Sequence, residues 1–367
     1  MFKRNDQGMF VYVTADTRDK STGIYTYRLD TSSGALQFVS LAGEVEAPFF
    51  LAFHPRGRFL YVVNAVQQPG GTFVGTASAF AIDPNTGALT LLNEQPVPGA
   101  FPCYITVDRT GQCALVANYV SGCVAALPIR PNGTLGPASD HIQHQGSSVD
   151  PHRQEGPHAH CIVIDPTERY AFAADLGLDK ILCYRLDPKR AKLTPNDVPW
   201  TQVKAGSGPR HLAFHPNGRF AYVINELNST LIAFAYDATR GTLTEVQTVR
   251  TIPEEFTAVN YCADVHVSPS GQFLYGSNRG HDSIVIYRIA GDTGMLAYLG
   301  CEPTQGKTPR NFALDPSGSY LLAANQDSDT LVTFRIAPET GKLSATGHVT
   351  RVPKPVCVKV LPVPAFG

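Results

Sequence analysis

A chain of 367 residues with one tryptophan and three methionines carries few of the residue patterns that announce a function directly. No apolar run approaches the roughly 20 residues that span a bilayer, so no membrane helix is expected. Lys and Arg (30) nearly balance Asp and Glu (31), and no basic run of the kind that grips a phosphate backbone occurs. Nucleic acid is therefore excluded as an expected partner. None of the eight cysteines forms a C-x-x-C pair, and Cys113, Cys161 and Cys183 sit inside apolar runs. Buried free thiols in a reducing cytoplasm fit this better than a disulfide framework. The stretch Met1–Gln7 has no apolar h-region, so a cleaved secretion signal is not expected and a cytoplasmic location is. No G-x-S-x-G, P-loop or dinucleotide-binding glycine signature appears, which leaves serine hydrolase, kinase and dehydrogenase readings without support. No window keeps a 3.6-residue apolar period either, so little helix is expected.

What the chain does have is repetition. The segment Phe53-His54-Pro55-Arg56-Gly57-Arg58-Phe59-Leu60-Tyr61-Val62-Val63-Asn64 returns at residues 214–225, 267–278 and 314–325, with weaker copies at 107–118 and 164–175 and a degenerate one at 8–13. Aligning the turn residue gives Gly8, Gly57, Gly111, Glu168, Gly218, Gly271 and Gly318, spaced 47 to 57 residues apart. A second turn marker, Asp83-Pro84-Asn85-Thr86-Gly87-Ala88-Leu89, alternates with the first. Its relatives end at Leu36, Leu135, Leu193, Leu243, Leu296 and Leu343. Both are hairpin turns between short apolar runs rich in Val, Ile, Tyr and Phe. The run Phe59–Val63 is apolar at every position, as a strand covered on both faces requires.

Seven units of four strands predict an all-β fold, a single seven-bladed β-propeller domain over residues 1–367. Radial repetition is one way in which antiparallel sheets dispose of exposed edges. Pro48, Pro102, Pro157, Pro209 and Pro309 head the first strand of five units, and the first unit has no room for such a strand before Gly8. The C-terminal run Lys354–Val360 is expected to fill that place, closing the ring with strands from both ends in one blade. A monomer or weak homo-oligomer is expected.

The gly-marked turns share the lower face of such a ring. The upper face differs from unit to unit, and a functional site is expected there. It collects His158, His160, Arg210, Glu226, Asp264, His266, Arg279, His281 and Arg310. Imidazoles, carboxylates and several guanidiniums around one mouth suit an anionic substrate and acid/base work. Taken singly, any one of them is as readily an ion pair between blades; many together at one mouth are harder to explain so. His158 and His160, two apart on a strand, are expected to point to the same side. With Glu226 they could hold a metal. The arginine-rich surroundings oppose a cation, and no spaced ligand set is present. A metal-free site without cofactor is the expectation. His141, His144 and His152 read as exposed residues of a long loop.

The segments Arg153–His160, Asp175–Ile181, Gly208–His211, Asn225–Leu227 and Ser277–Ile284 resemble, in combination, the seven-bladed propeller lactonase family. That family includes bacterial 6-phosphogluconolactonases and the fungal carboxymuconate cyclase. The resemblance spans essentially the whole chain. It implies hydrolysis of a small anionic lactone, most simply 6-phospho-D-glucono-1,5-lactone in the pentose phosphate pathway. The family's proposed catalytic residues, a His, two Arg and a Glu, fall on His160 (or its neighbour His158), Arg210, Glu226 and Arg279. On this carry-over His160 is the general base, Glu226 orients or assists it, Arg279 stabilises the oxyanion and Arg210 holds the anionic tail. Substrate-binding roles are expected for His158, Arg310, Asp264, His266, His281 and Asp175. Two other classes remain open: a muconate-type cycloisomerase using the same arginines, and a non-enzymatic interaction propeller. The single Trp200 and the absence of Trp-Asp dipeptides speak against the latter.

Overall fold

The computed structural model describes residues 8–17, 22–43 and 45–362. The stretch Met1–Gln7, on which the expectation about a secretion signal rests, lies outside them. Among the described residues, twenty-eight strands, β1–β28, form seven four-stranded antiparallel sheets. Six sheets take consecutive strands. In the seventh, β28 (Pro355–Pro362) pairs with β1 (Met9–Ala15), followed by β2 (Gly23–Leu29) and β3 (Leu36–Ala42). The ring is thus closed by its two ends, as the missing first strand implied.

The repeated residues show why the blades stack. A tyrosine on the second strand reaches to a turn carbonyl of the next blade: Tyr12 Oη to Gly87 O at 2.9 Å, Tyr61 to Gly133 at 3.1 Å, Tyr222 to Gly294 at 3.0 Å and Tyr275 to Gly341 at 2.8 Å. Tyr320 makes the last link, to Thr31 O at 3.1 Å. Each buries a large ring and satisfies its hydroxyl. Glycine is required at the receiving turn: Gly87 has φ +77°, and a Cβ there would lie 2.6 Å from the Phe10 ring. The other turn marker likewise sits in the left-handed region, with φ of 65° at Gly57, 71° at Gly111 and 61° at Glu168.

Strand β28 is stitched to one neighbouring blade, where the Val358 N–H donates to Asn311 Oδ1 at 2.7 Å, and its partner β1 to the other, where Thr14 Oγ1 donates to Phe49 O at 3.0 Å. Removing it would bare the edge of β1, where Phe10, Val11, Tyr12 and Val13 are fully buried. Truncation after Arg351 is therefore expected to give an aggregating protein with no cooperative melt. A soluble product that melts like the full chain would refute closure by this strand.

One irregularity of the inner strands positions the site. In β4 (Pro48–Phe53), β8 (Pro102–Val107), β12 (Ala159–Ile164), β16 (Pro209–Phe214) and β24 (Pro309–Leu314), the pairing skips the second residue. The skipped residues are Phe49, Cys103, His160, Arg210 and Arg310. In β20 (Tyr261–Val267) the bulge takes Ala263 and Asp264, and in β28 it takes Val356. A bulge re-aims its extra side chain, and two of these residues, His160 and Arg310, reach the upper mouth of the channel.

Candidate active site

Two repeat positions supply side chains to the mouth: the bulged residue of the inner strand and the residue at the upper end of the second. From the first come His160 and Arg310; from the second come Tyr119, Glu226 and Arg279. With Arg153 these line a cavity of about 280 Å³. Its lining includes three guanidiniums and one carboxylate. Beneath it, the next residues of the inner strands close the channel. Phe50 stacks on Tyr104 at 4.2 Å, Tyr104 meets His211 at 5.2 Å, and His211 Nδ1 lies 2.7 Å from Asp264 Oδ1.

Glu226 is the hub. Arg153 Nη2 donates to its Oε1 at 2.5 Å, while Arg210 Nε and Arg279 Nη2 reach its Oε2 at 2.9 and 2.8 Å. Burial alone would push its pKa up, but Arg279, Arg210 and Arg153 outweigh that and hold it at about 2. Glu226 was expected to orient or assist the histidine. Its two carboxylate oxygens are instead held by three guanidiniums.

His160 is 4 % exposed, with Nδ1 3.8 Å from Cys103 Sγ and its ring edge-on to Tyr119 at 5.3 Å. Burial, and then the charge of Arg210, His211 and Arg310, pushes its pKa well below the ordinary 6.5. The imidazole is thus held in its neutral form. His158 faces elsewhere, contrary to the same-side expectation, because the bulge between Ala159 and Cys161 breaks the strand's alternation. It lies behind Tyr119, stacked at 4.6 Å, with Nδ1 bonded to Tyr119 O at 2.9 Å and Nε2 to Glu155 at 3.1 Å.

Arg210, expected to hold the anionic tail, is only 2 % exposed and does not line the cavity. It lies beneath Glu226 and donates to Ala263 O and to His211 Nε2, the latter at 3.2 Å. Because Nε2 accepts, His211 carries its proton on Nδ1 and gives it to Asp264. Burial and Arg210 bring the His211 pKa down to about 4. Arg210 is locked under the carboxylate it bonds. Arg310 is different. It lines the cavity with its guanidinium 5.0 Å above the Phe49 ring, and burial, with Arg210 and Arg279 nearby, pulls its pKa down to about 9.

The other expected binding residues do not line the cavity. Asp264 is 3 % exposed and saturated by His211, His266, Asn311 and two backbone amides. His266 lies one layer lower, lining a separate cavity at the other end of the channel. His281 folds onto its own loop, bonded to Ser283 at 2.7 Å. Asp175 is fully buried and holds the backbone around His158. His144, expected in an exposed loop, is buried between Asp175 at 2.6 Å and the Tyr184 hydroxyl at 2.9 Å. Among the described residues, no group of three or more His, Cys, Asp or Glu is placed to hold a metal ion, and all eight cysteines are free.

Arg153 and Tyr119 escaped the sequence reading of the site. Arg153 is the only Lys or Arg between His144 and His158, a signal that was available. Tyr119 stands just past the second strand of its unit, the repeat position of Glu226 and Arg279, so its signal was available too.

Sequence comparison agrees with this architecture. The model of the family described as lactonase, 7-bladed beta-propeller, matches residues 10–360. The chain belongs to this seven-bladed propeller lactonase family. A 6-phosphogluconolactonase of Bacillus subtilis is 38% identical over 351 residues, covering 95% of this chain and 97% of the relative. One from Formosa agariphila is 36% identical over 84% of this chain and 86% of its own. The solved periplasmic gluconolactonase of Pseudomonas aeruginosa superimposes with a TM-score of 0.92 at 34% identity, covering 97% of this chain and all of that one.

Proposed function

We propose that the protein hydrolyses an anionic aldonolactone, 6-phospho-D-glucono-1,5-lactone in the first instance, to the open-chain acid. The observation that carries this reading is the charge of the cavity: three guanidiniums against one carboxylate, beside a neutral buried histidine. Such a mouth requires a counter-anion from its substrate. The names of the related proteins supply the lactone.

In the chemistry, His160 takes a proton from water as its oxygen attacks the lactone carbonyl. Arg279, braced by Glu226 and by Cys262 O at 2.9 Å, stabilises the oxyanion. Arg310, on the neighbouring blade, holds the anionic end. The ring C–O bond breaks, and its oxygen leaves as a hydroxyl after taking up the proton. No step needs a metal. Its place, on this reading, is a cytoplasmic step that consumes the product of a phosphorylated aldose oxidised at C1, as in the pentose phosphate pathway.

The test is timed hydrolysis of 6-phosphogluconolactone beside glucono-1,5-lactone at mildly acidic pH, where spontaneous opening is slow, with and without chelator. Enzymatic opening that favours the phosphorylated lactone and ignores the chelator is expected. A rate equal to the spontaneous one on both lactones would overturn the reading.

A further inference from the structure

We propose that Arg153 is the residue that selects a dianionic tail: it rests on Glu226 in the free protein, and an incoming phosphoryl group takes over its guanidinium. This rests on the lactonase reading of the same cavity.

The segment that carries Arg153, between β11 (Asp140–Gln143) and β12, is pinned at several points. Gln154 is fully buried, its Nε2 donating to Leu176 O at 2.8 Å and its Oε1 accepting from Asp150 N at 3.1 Å. Ser148 Oγ donates to Asp179 at 2.6 Å, and Asp175 accepts from the His144 ring and from the His158 and Leu178 amides. A loop fastened this firmly holds one guanidinium over the mouth.

Three features set Arg153 apart from its companions. Its side chain is 30 % exposed, against 14 % for Arg279 and 2 % for Arg210, so an entering anion meets it first. It alone of the three holds Glu226 Oε1, whereas Oε2 is shared by Arg210 and Arg279. Arg153 can therefore leave while Glu226 keeps two partners. Its guanidinium also lies 5.4 Å from the Tyr261 ring centre and 3.5 Å from the Tyr119 hydroxyl, a flat support on which it can turn and a second donor for phosphate. A phosphoryl group carries about −1.5 to −2 charge near neutrality, and a fork-shaped guanidinium pairs with it bidentately as it does with a carboxylate.

The experiment compares Arg153→Ala and Arg153→Lys on 6-phosphogluconolactone and glucono-1,5-lactone. For alanine, kcat/KM on the phosphorylated lactone should fall about 10- to 150-fold, mostly through KM, the yield of one charge-assisted contact. The fall on the plain lactone should be about tenfold smaller, so the preference collapses. Lysine should keep part of it. The wild-type KM for the phosphorylated lactone should rise as pH falls through about 6, where the phosphate takes its second proton, and Arg153→Ala should flatten that rise. Equal losses on both lactones, with the pH dependence intact, would overturn the proposal. If neither lactone is turned over, the lactonase reading falls, and calorimetric titration with 6-phosphogluconate and gluconate decides the role of Arg153. Weaker phosphogluconate binding by Arg153→Lys, with gluconate binding little changed, upholds it; no difference between the variants, or no binding, refutes it.

Discussion

Replacing His160 with alanine is expected to lower kcat on phosphorylated and plain gluconolactone alike by about 10²–10⁴, the usual contribution of a positioned general base. The bulge in β12 turns this imidazole into the cavity, and burial together with Arg210, His211 and Arg310 keeps it unprotonated. A base must be neutral to act, so the acid limb of the kcat/KM profile should lie below the ordinary histidine value of 6.5 and should vanish in the variant. His158→Ala serves as the comparison: its ring lies behind Tyr119, so its effect should be far smaller. A silent His160→Ala, or an acid limb above 6.5 that persists in it, would remove His160 from the mechanism.

Glu226→Gln is expected to destabilise the fold. The carboxylate is 6 % exposed and neutralises guanidiniums that are themselves packed into the mouth. Breaking a buried pair from one side leaves the other charge uncompensated, which costs about 3–5 kcal/mol. Arg210→Ala should cost a similar amount and lower kcat/KM on both lactones, since Arg210 works through Glu226 rather than on the substrate. The pH dependence follows from the sign of the shift. With its folded pKa at about 2 against an ordinary 4.5, Glu226 contributes stability that is fully present above pH 4.5 and lost as pH falls toward 2. The variant should lack that component of acid destabilisation. Chemical denaturation at pH 7, repeated down the acid range, checks both; a loss under about 1 kcal/mol, or an unchanged acid slope, would contradict the role given to Glu226.

The fold was legible because seven copies of two turns leave little choice of architecture, and because the first copy visibly lacks a strand that the C-terminus can supply. Glu226 and Arg279 were legible as members of the mouth because they occupy the one repeat position, just past the second strand, where the units differ most. The histidine pair was not. Period-two reasoning puts His158 and His160 on one face, and only the bulge, a backbone irregularity without a marker of its own, separates them. Arg210 and Arg310 occupy equivalent bulged positions, yet one is buried under a carboxylate and the other faces the cavity. Their neighbours decide this: Glu226 stands beside Arg210, and Phe49 beneath Arg310. Asp264 was drawn to the site as one of the upper-face residues of its unit, but His211, His266 and Asn311 claim it for the channel floor. Arg153 offered a signal as the only Lys or Arg between His144 and His158, but the anchors that hold its loop over the mouth, Gln154 and Asp175, become visible only once the chain is folded.

The most direct test of water attack at this mouth is isotopic. With enzyme in excess over 6-phosphogluconolactone in H₂¹⁸O, the product formed ahead of spontaneous opening should carry one ¹⁸O, in the carboxylate and none in the new hydroxyl, and His160→Ala should abolish the enzymatic fraction. An unlabelled product, or label in the hydroxyl, would contradict hydrolysis at the carbonyl.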